Sequence, residues 1–136
     1  MGKSEVAAEN RETIVMRLEN YSSRAFDAIA LRGNAISNDS KVDRPCGASG
    51  EMPVLGVNHF WQLEDVDPVH QAQGIARLRN YLDNAGWMSS HDSSPTVVKA
   101  TNPHDGYVVW AKAIEDLRRL AVQVSSPCYK TSKLSP

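Results

Sequence analysis

What this sequence lacks narrows its function more than what it contains. It has 15 lysines and arginines against 16 aspartates and glutamates, for a net charge of −1. No basic excess exists to neutralise phosphates, and the pairs Arg77/Arg79 and Arg118/Arg119 are too sparse to supply one, so nucleic acid is not an expected partner. No apolar run approaches the roughly 18 residues of a membrane span. No serine sits in GxSxG or SxxK, and no glycine-rich loop leads from a strand into a helix. The common nucleophile, phosphate-cradle and dinucleotide motifs are therefore missing. No catalytic residue, metal or cofactor is expected.

Cysteine is scarce too. Cys46 and Cys128 are too few for a metal site of their own and form no CxxC redox motif. Two buried free thiols are one reading, and the commoner one in a cytosolic protein. The settings favour the other. Arg44-Pro45-Cys46-Gly47 and Ser126-Pro127-Cys128-Tyr129 are turn-like segments at the edges of elements, whereas packing thiols more often lie inside them. A Cys46–Cys128 disulfide is expected, stabilising the fold by about 4 kcal/mol on the chain-entropy view and implying an exported protein. The start, Met1-Gly2-Lys3-Ser4-Glu5-Val6, has no apolar stretch of a signal peptide and lacks the Ser or Thr at position 6 of a myristoylation site. Read literally it is a cytoplasmic start; it equally fits a chain from which an export segment has been removed.

What is present describes an ordinary globular domain. At 136 residues, with 41% hydrophobic and 23% charged residues, the chain suits one domain with one core. The ordered part is expected over about 5–129, with a loose polar tail at 130–136. From Ser4 to Leu31 a stripe of Ile14, Leu18, Tyr21, Ala25 and Ile29 marks a helix. Residues from Gly33 to Pro53 are polar and read as a long loop carrying Cys46. Val54 to Glu64 alternates as a half-buried strand. A second helix is bounded by Asp67 as cap, Pro68 in its first turn and Gly86 as its stop. Three strands follow, Thr96–Thr101, Tyr107–Ile114 and Leu117–Ser125, joined by hairpin turns. The expected fold class is α+β, in the order α-β-α-β-β-β: a two-layer sandwich with two helices on one face of a four-stranded, mainly antiparallel sheet. If the last strand keeps its alternation, Cys128 faces the helices.

Four histidines invite a chemical reading. His59 lies on the apolar face of its strand and reads as a satisfied core residue. His70 falls in an exposed first helical turn. His91-Asp92 and His104-Asp105 are of the residue types that metal-dependent phosphohydrolases use, but both pairs sit in polar turns where such residues serve turn geometry. Glu64, Asp65 and Asp67 read as a solvated capping cluster. What remains is apolar surface. Tyr107 to Ile114 is apolar on both faces, and with helices on one side only, Phe60, Val108, Trp110 and Ile114 form a candidate binding surface on the other. The alternative is that the long loop or the first helix covers it.

Several segments, taken together, resemble the mature domain of small actinobacterial, mycobacterial-type cell-envelope lipoproteins of uncharacterised function. They are the N-terminal helix followed by Pro45-Cys46, the run Ala76-Arg77-Leu78-Arg79-Asn80-Tyr81-Leu82-Asp83-Asn84-Ala85-Gly86-Trp87, then Asn102-Pro103-His104-Asp105-Gly106-Tyr107, and the ending Leu120 to Cys128. The resemblance spans residues 10 to 129 and implies an extracytoplasmic domain, held to a membrane only through an N-terminal lipid anchor absent from this chain. It assigns no catalytic residues. The leading expectation is a noncatalytic envelope or secreted domain binding a protein, peptide or lipid through a sheet face or edge. The alternatives are a small metal-dependent hydrolase using His91, Asp92, His104 and Asp105, and a cytoplasmic interaction or chaperone-like protein with free thiols. Thiol titration of the denatured, unreduced chain separates the last from the first: no reactive thiol is expected, and two would return the cysteines to the cytosol.

Overall fold

The computed structural model describes residues 10–49, 52–91 and 93–130. The expected helix start at Ser4 and most of the polar tail lie outside them. Helix α1 runs Arg11–Ile29. Asn10 caps it by accepting the Glu12 N–H at 2.7 Å, and Ala30 ends it in the left-handed region at φ 58°. Its buried stripe is Ile14, Leu18, Ser22, Ala25 and Ile29. Helix α2, Pro68–Asn84, starts and stops as its sequence signals require. Asp67 accepts the His70 N–H, a bond that holds its carboxyl below the usual carboxylate range, and Gly86 takes φ 89°. The two helices are tied directly: Arg77 of α2 donates to the otherwise free carbonyl of Ile29 at the end of α1.

The strands are β1 (Ile36–Ser49), β2 (Met52–Leu63), β3 (Met88–Ser89), β4 (Val97–Thr101), β5 (Val108–Ile114), β6 (Arg119–Ser125) and β7 (Tyr129–Lys130). They form one sheet in the order β1-β2-β6-β5-β4-β3, with β7 pairing β2 at Val54 and Leu55. Every pairing among the described residues is antiparallel. The α+β class, the helices on one face and the disulfide agree with expectation. The strand number does not. Among the described residues seven strands replace four, because β1 lies where a loop is expected and β3 and β7 are too short to show any period.

The polarity of β1 has a physical cause. It is an edge strand, and its inward side chains meet the charged flank of α1 rather than the core. Lys41 pairs with Glu19 at 3.0 Å, and Arg11 reaches Asp43 at 2.8 Å. Such a strand carries no alternation of apolar residues to read. Two register shifts, at Ser37/Ser40 and Pro45/Ala48, interrupt it further.

Alternation on the inner strands is regular. Val57, His59, Trp61 and Leu63 of β2 point toward the helices, as do Leu120, Val122 and Val124 of β6. They meet Leu18, Ile29, Ile75, Leu78 and Leu82 in one core. Cys46 and Cys128 are bonded, with Cα atoms 6.3 Å apart. Cys128 does not face the helices, however. The chain leaves the ladder at Ser126, whose N–H and Oγ both bond the backbone of Val57, and Pro127 turns it outward. The Cys128 sulfur then lies 3.8 Å from the Arg44 guanidinium on the other side of the sheet. That guanidinium lies over Gly56, in space a side chain there would need.

Gly74 shows why a poor helix former is kept inside α2. A Cβ there would approach Ile29 and Leu31 at 3.1 Å and Leu120 at 3.3 Å. The helix comes this close to the sheet only without it. Gly74→Ala gains about 1 kcal/mol of helix propensity and loses a similar amount to crowding, so it should be near neutral in urea melts. Gly74→Val cannot fit and should cost about 1–3 kcal/mol.

Candidate functional site: an open sheet face and a polar pocket behind it

Strand register places Phe60, Val108, Trp110 and Ile114 on the face of the sheet opposite the helices. Neither covering element reaches them: α1 packs on the other face, and residues 36–49 form the edge strand. Phe60 and Trp110 flank Gln123 across β6 and, with Lys112 and Ala121, line a shallow groove of about 210 Å³. Val108 and Trp110 border a second hollow of about 380 Å³ with Arg44, Lys99 and Cys128. Ile114 stands apart, at the end of β5. Trp110 is 41% exposed, and the Lys99 ammonium sits 5.2 Å from its ring centre.

Charge on this face is of one sign. Arg44, Lys99, Lys112 and Arg119 share it by register, and no aspartate or glutamate occupies a strand position there among the described residues. The carboxylates of a nearly neutral chain are thus on the helical side, in turns, or on the inward face of β1.

On the helical side, α1, β1 and β2 border an open pocket of about 270 Å³. His59 lies in its wall, 6% exposed. Its Nδ1 is 2.7 Å from Ser22 Oγ and its Nε2 is 2.6 Å from Asp39 Oδ1. An ionised carboxylate only accepts, so Nε2 carries a ring proton. When the ring holds that proton alone, Nδ1 is the acceptor and the Ser22 hydroxyl donates to it. Asp39 reaches the ring because it stands in the first bulge of β1, just after Asn38 at φ 57°. Trp61 lines the same pocket beneath the Phe26 ring, and its Nε1–H has no hydrogen-bond partner although the residue is 3% exposed.

His59 is therefore the satisfied buried histidine its strand position implies, while Ser22 and Asp39 are not singled out by any motif. Ser22 left one trace in the sequence: it occupies the stripe of Leu18, Ala25 and Ile29, a core position held by a polar residue. Asp39 left none, since its segment reads as loop.

The other histidines stand in separate settings. His70 is exposed and its Nδ1 contacts Asp67 at 2.6 Å. His91 is exposed in a turn, and Asp92 lies outside the described residues. His104 is exposed, and Asp105 accepts the Tyr21 hydroxyl and the Tyr107 N–H. Asn102 also donates to the Tyr21 oxygen, and Tyr21 packs against Trp87 and Tyr107. The residues 102–107 thus dock the β4–β5 turn onto α1. No group of three or more His, Cys, Asp or Glu is placed to hold a metal among the described residues. Compared with protein-family models, curated proteins and solved structures, the chain matches none.

Burial, and then the bond to Asp105, push the Tyr21 phenol up to about 12. A folded pKa above the unfolded value of about 10 gives stability that is whole below pH 10 and lost as pH rises toward 12. Tyr21→Phe should therefore cost about 1.5 kcal/mol at pH 7. Its deficit against the native chain should shrink above pH 10 in matched urea melts.

Proposed function

We propose that this chain is an envelope or secreted binding domain that recognises an acidic protein or peptide surface through the open face of its sheet. The observation that carries this reading is the pairing of exposed Trp110 and half-buried Phe60 with strand cations and no strand carboxylate among the described residues. Tryptophan and arginine are the residues most often found at the energetic centres of protein interfaces, and a one-signed field steers an oppositely charged partner. Nothing on this face pairs a nucleophile with a base, so recognition there is binding without reaction.

The edge is the weaker surface. The outer side of β1 is blunted by two bulges, Pro45 and flanking charges, devices that discourage strand addition. A lipid surface also fits less well. Asn58, Gln62, Gln123 and Ser125 are interleaved with the apolar residues, and a hydrocarbon layer would leave their polar groups unpaired. The location rests on the disulfide, which persists in oxidising compartments, and on the resemblance to envelope lipoproteins.

Trp61 and Trp87 are buried, so Trp110 fluorescence reports on this face. Titration with a glutamate-rich peptide containing aromatic residues should give saturable quenching that weakens with salt. Trp110→Ala, followed by calorimetry, and the pair Lys99→Glu/Lys112→Glu should each weaken binding at least tenfold. Preferential binding to phosphatidylglycerol vesicles would replace the protein partner with a membrane surface. Binding insensitive to salt and to these substitutions would overturn the assignment.

A further inference from the structure

Independently of the open face, we propose that Ser22 is an activated nucleophile that accepts short acyl groups in the pocket behind the sheet. A hydrogen-bonded chain of hydroxyl, imidazole and carboxylate is what nucleophilic catalysis requires, and it is recognised by geometry rather than by sequence order. Here the two bonds are 2.7 and 2.6 Å. The carboxylate of Asp39 fixes the proton on Nε2, which leaves the Nδ1 lone pair facing the serine. The imidazole is turned end for end relative to the usual arrangement, with Nδ1 rather than Nε2 serving as base, but either nitrogen can take the proton.

A nucleophile inside a helix raises a difficulty. The backbone N–H groups around Ser22 are engaged within α1, so they cannot stabilise the oxyanion of an acyl-transfer intermediate. The cation that lines the pocket, Lys41, stands opposite His59 in the β1–β2 ladder and is the group available to a developing oxyanion. Phe26, Ile36 and Trp61 supply an apolar wall, and Ser23 and Lys41 lie at its polar side. A volume of about 270 Å³ suits a small acyl group rather than a long chain.

The reaction balances with water as the only co-reactant. Ser22 Oγ bonds to the acyl carbon of an ester while its proton passes to His59 Nδ1. The alcohol leaves with that proton, and the acyl group remains on Ser22. A water then gives its proton to Nδ1 and its hydroxyl to the acyl carbon, releasing the acid and returning the proton to Ser22 Oγ. Ser22 and His59 would be catalytic, while Asp39, acting through His59, is a positioning residue.

The full chain is treated with a small alkyl fluorophosphonate, and adducts are located by peptide mass mapping. A single adduct on Ser22 is expected, none on Ser22→Ala, and slow release of p-nitrophenol from p-nitrophenyl acetate that the adduct abolishes. Asp39 is 59% exposed, so Asp39→Asn should keep its melting temperature. It should label at least tenfold more slowly, because an amide no longer fixes the ring proton. A purely structural hydrogen-bond chain would not produce that split. A folded native chain that stays unlabelled, an adduct elsewhere, or equal labelling of Asp39→Asn would each overturn the proposal.

Discussion

Two helices cannot cover both faces of a sheet six strands wide, and most other features of this molecule follow from that limit. The inward face is a continuous apolar layer under α1 and α2. The outward face must meet water with whatever side chains the strands carry. Amides, hydroxyls and cations are interleaved there with Val108 and Ile114, and the aromatic rings of Trp110 and Phe60 remain. The same limit explains β1. It lies beyond the reach of α2 and under only the rim of α1, so its inward positions are filled by Lys41 and Asp43, which bond to that rim. A strand so placed is held by its ladder to β2 and by ion pairs at a surface where such pairs contribute little. The covalent link through Cys46 therefore falls on a strand with little apolar anchorage of its own.

Sequence patterns read the parts of the fold whose signals are local. Asp67, Pro68 and Gly86 bounded α2 because capping chemistry acts within a few residues. Alternation in β2, β5 and β6 was visible because each has one face in the core. The edge strand escaped because its partners, Glu19 and Arg11, are distant in sequence and no period marks a strand that buries charged residues. The direction of Cys128 escapes alternation for a related reason: the regular ladder ends at Ser125, and Ser126 leaves it to bond Val57 twice.

The candidate sites differ in the same way. Phe60, Val108 and Trp110 were legible together, since parity on paired strands requires only a hairpin register. Their cationic neighbours were not, because Arg44 joins them only once β1 is known to be a strand. The Ser22–His59–Asp39 chain needs three elements and a bulge to assemble. Only the polar intrusion of Ser22 into an apolar stripe hinted at it. The segments that carry the lipoprotein resemblance have a different use here. Arg77 closes the end of α1, Arg79 donates to the carbonyls of Ser94 and Val97, and Asn102 and Asp105 gather around Tyr21. They are the joints between elements rather than parts of either site.

The disulfide divides the molecule in a way the sheet order does not. The covalent ring closed between residues 46 and 128 contains β2, α2 and every strand through β6. Helix α1 and most of β1 hang outside it as an N-terminal arm. Cross-linking restricts the denatured excursions of what lies within the ring and leaves the arm's own freedom nearly unchanged. The arm is nevertheless no separate unit: Ile14, Leu18, Ala25 and Ile29 lie in the same buried cluster as Ile75, Leu78 and Leu120. The ring is closed by a bond, and the arm is held to it by apolar contact along that stripe, so the covalent boundary of the molecule and the boundary of its core do not coincide.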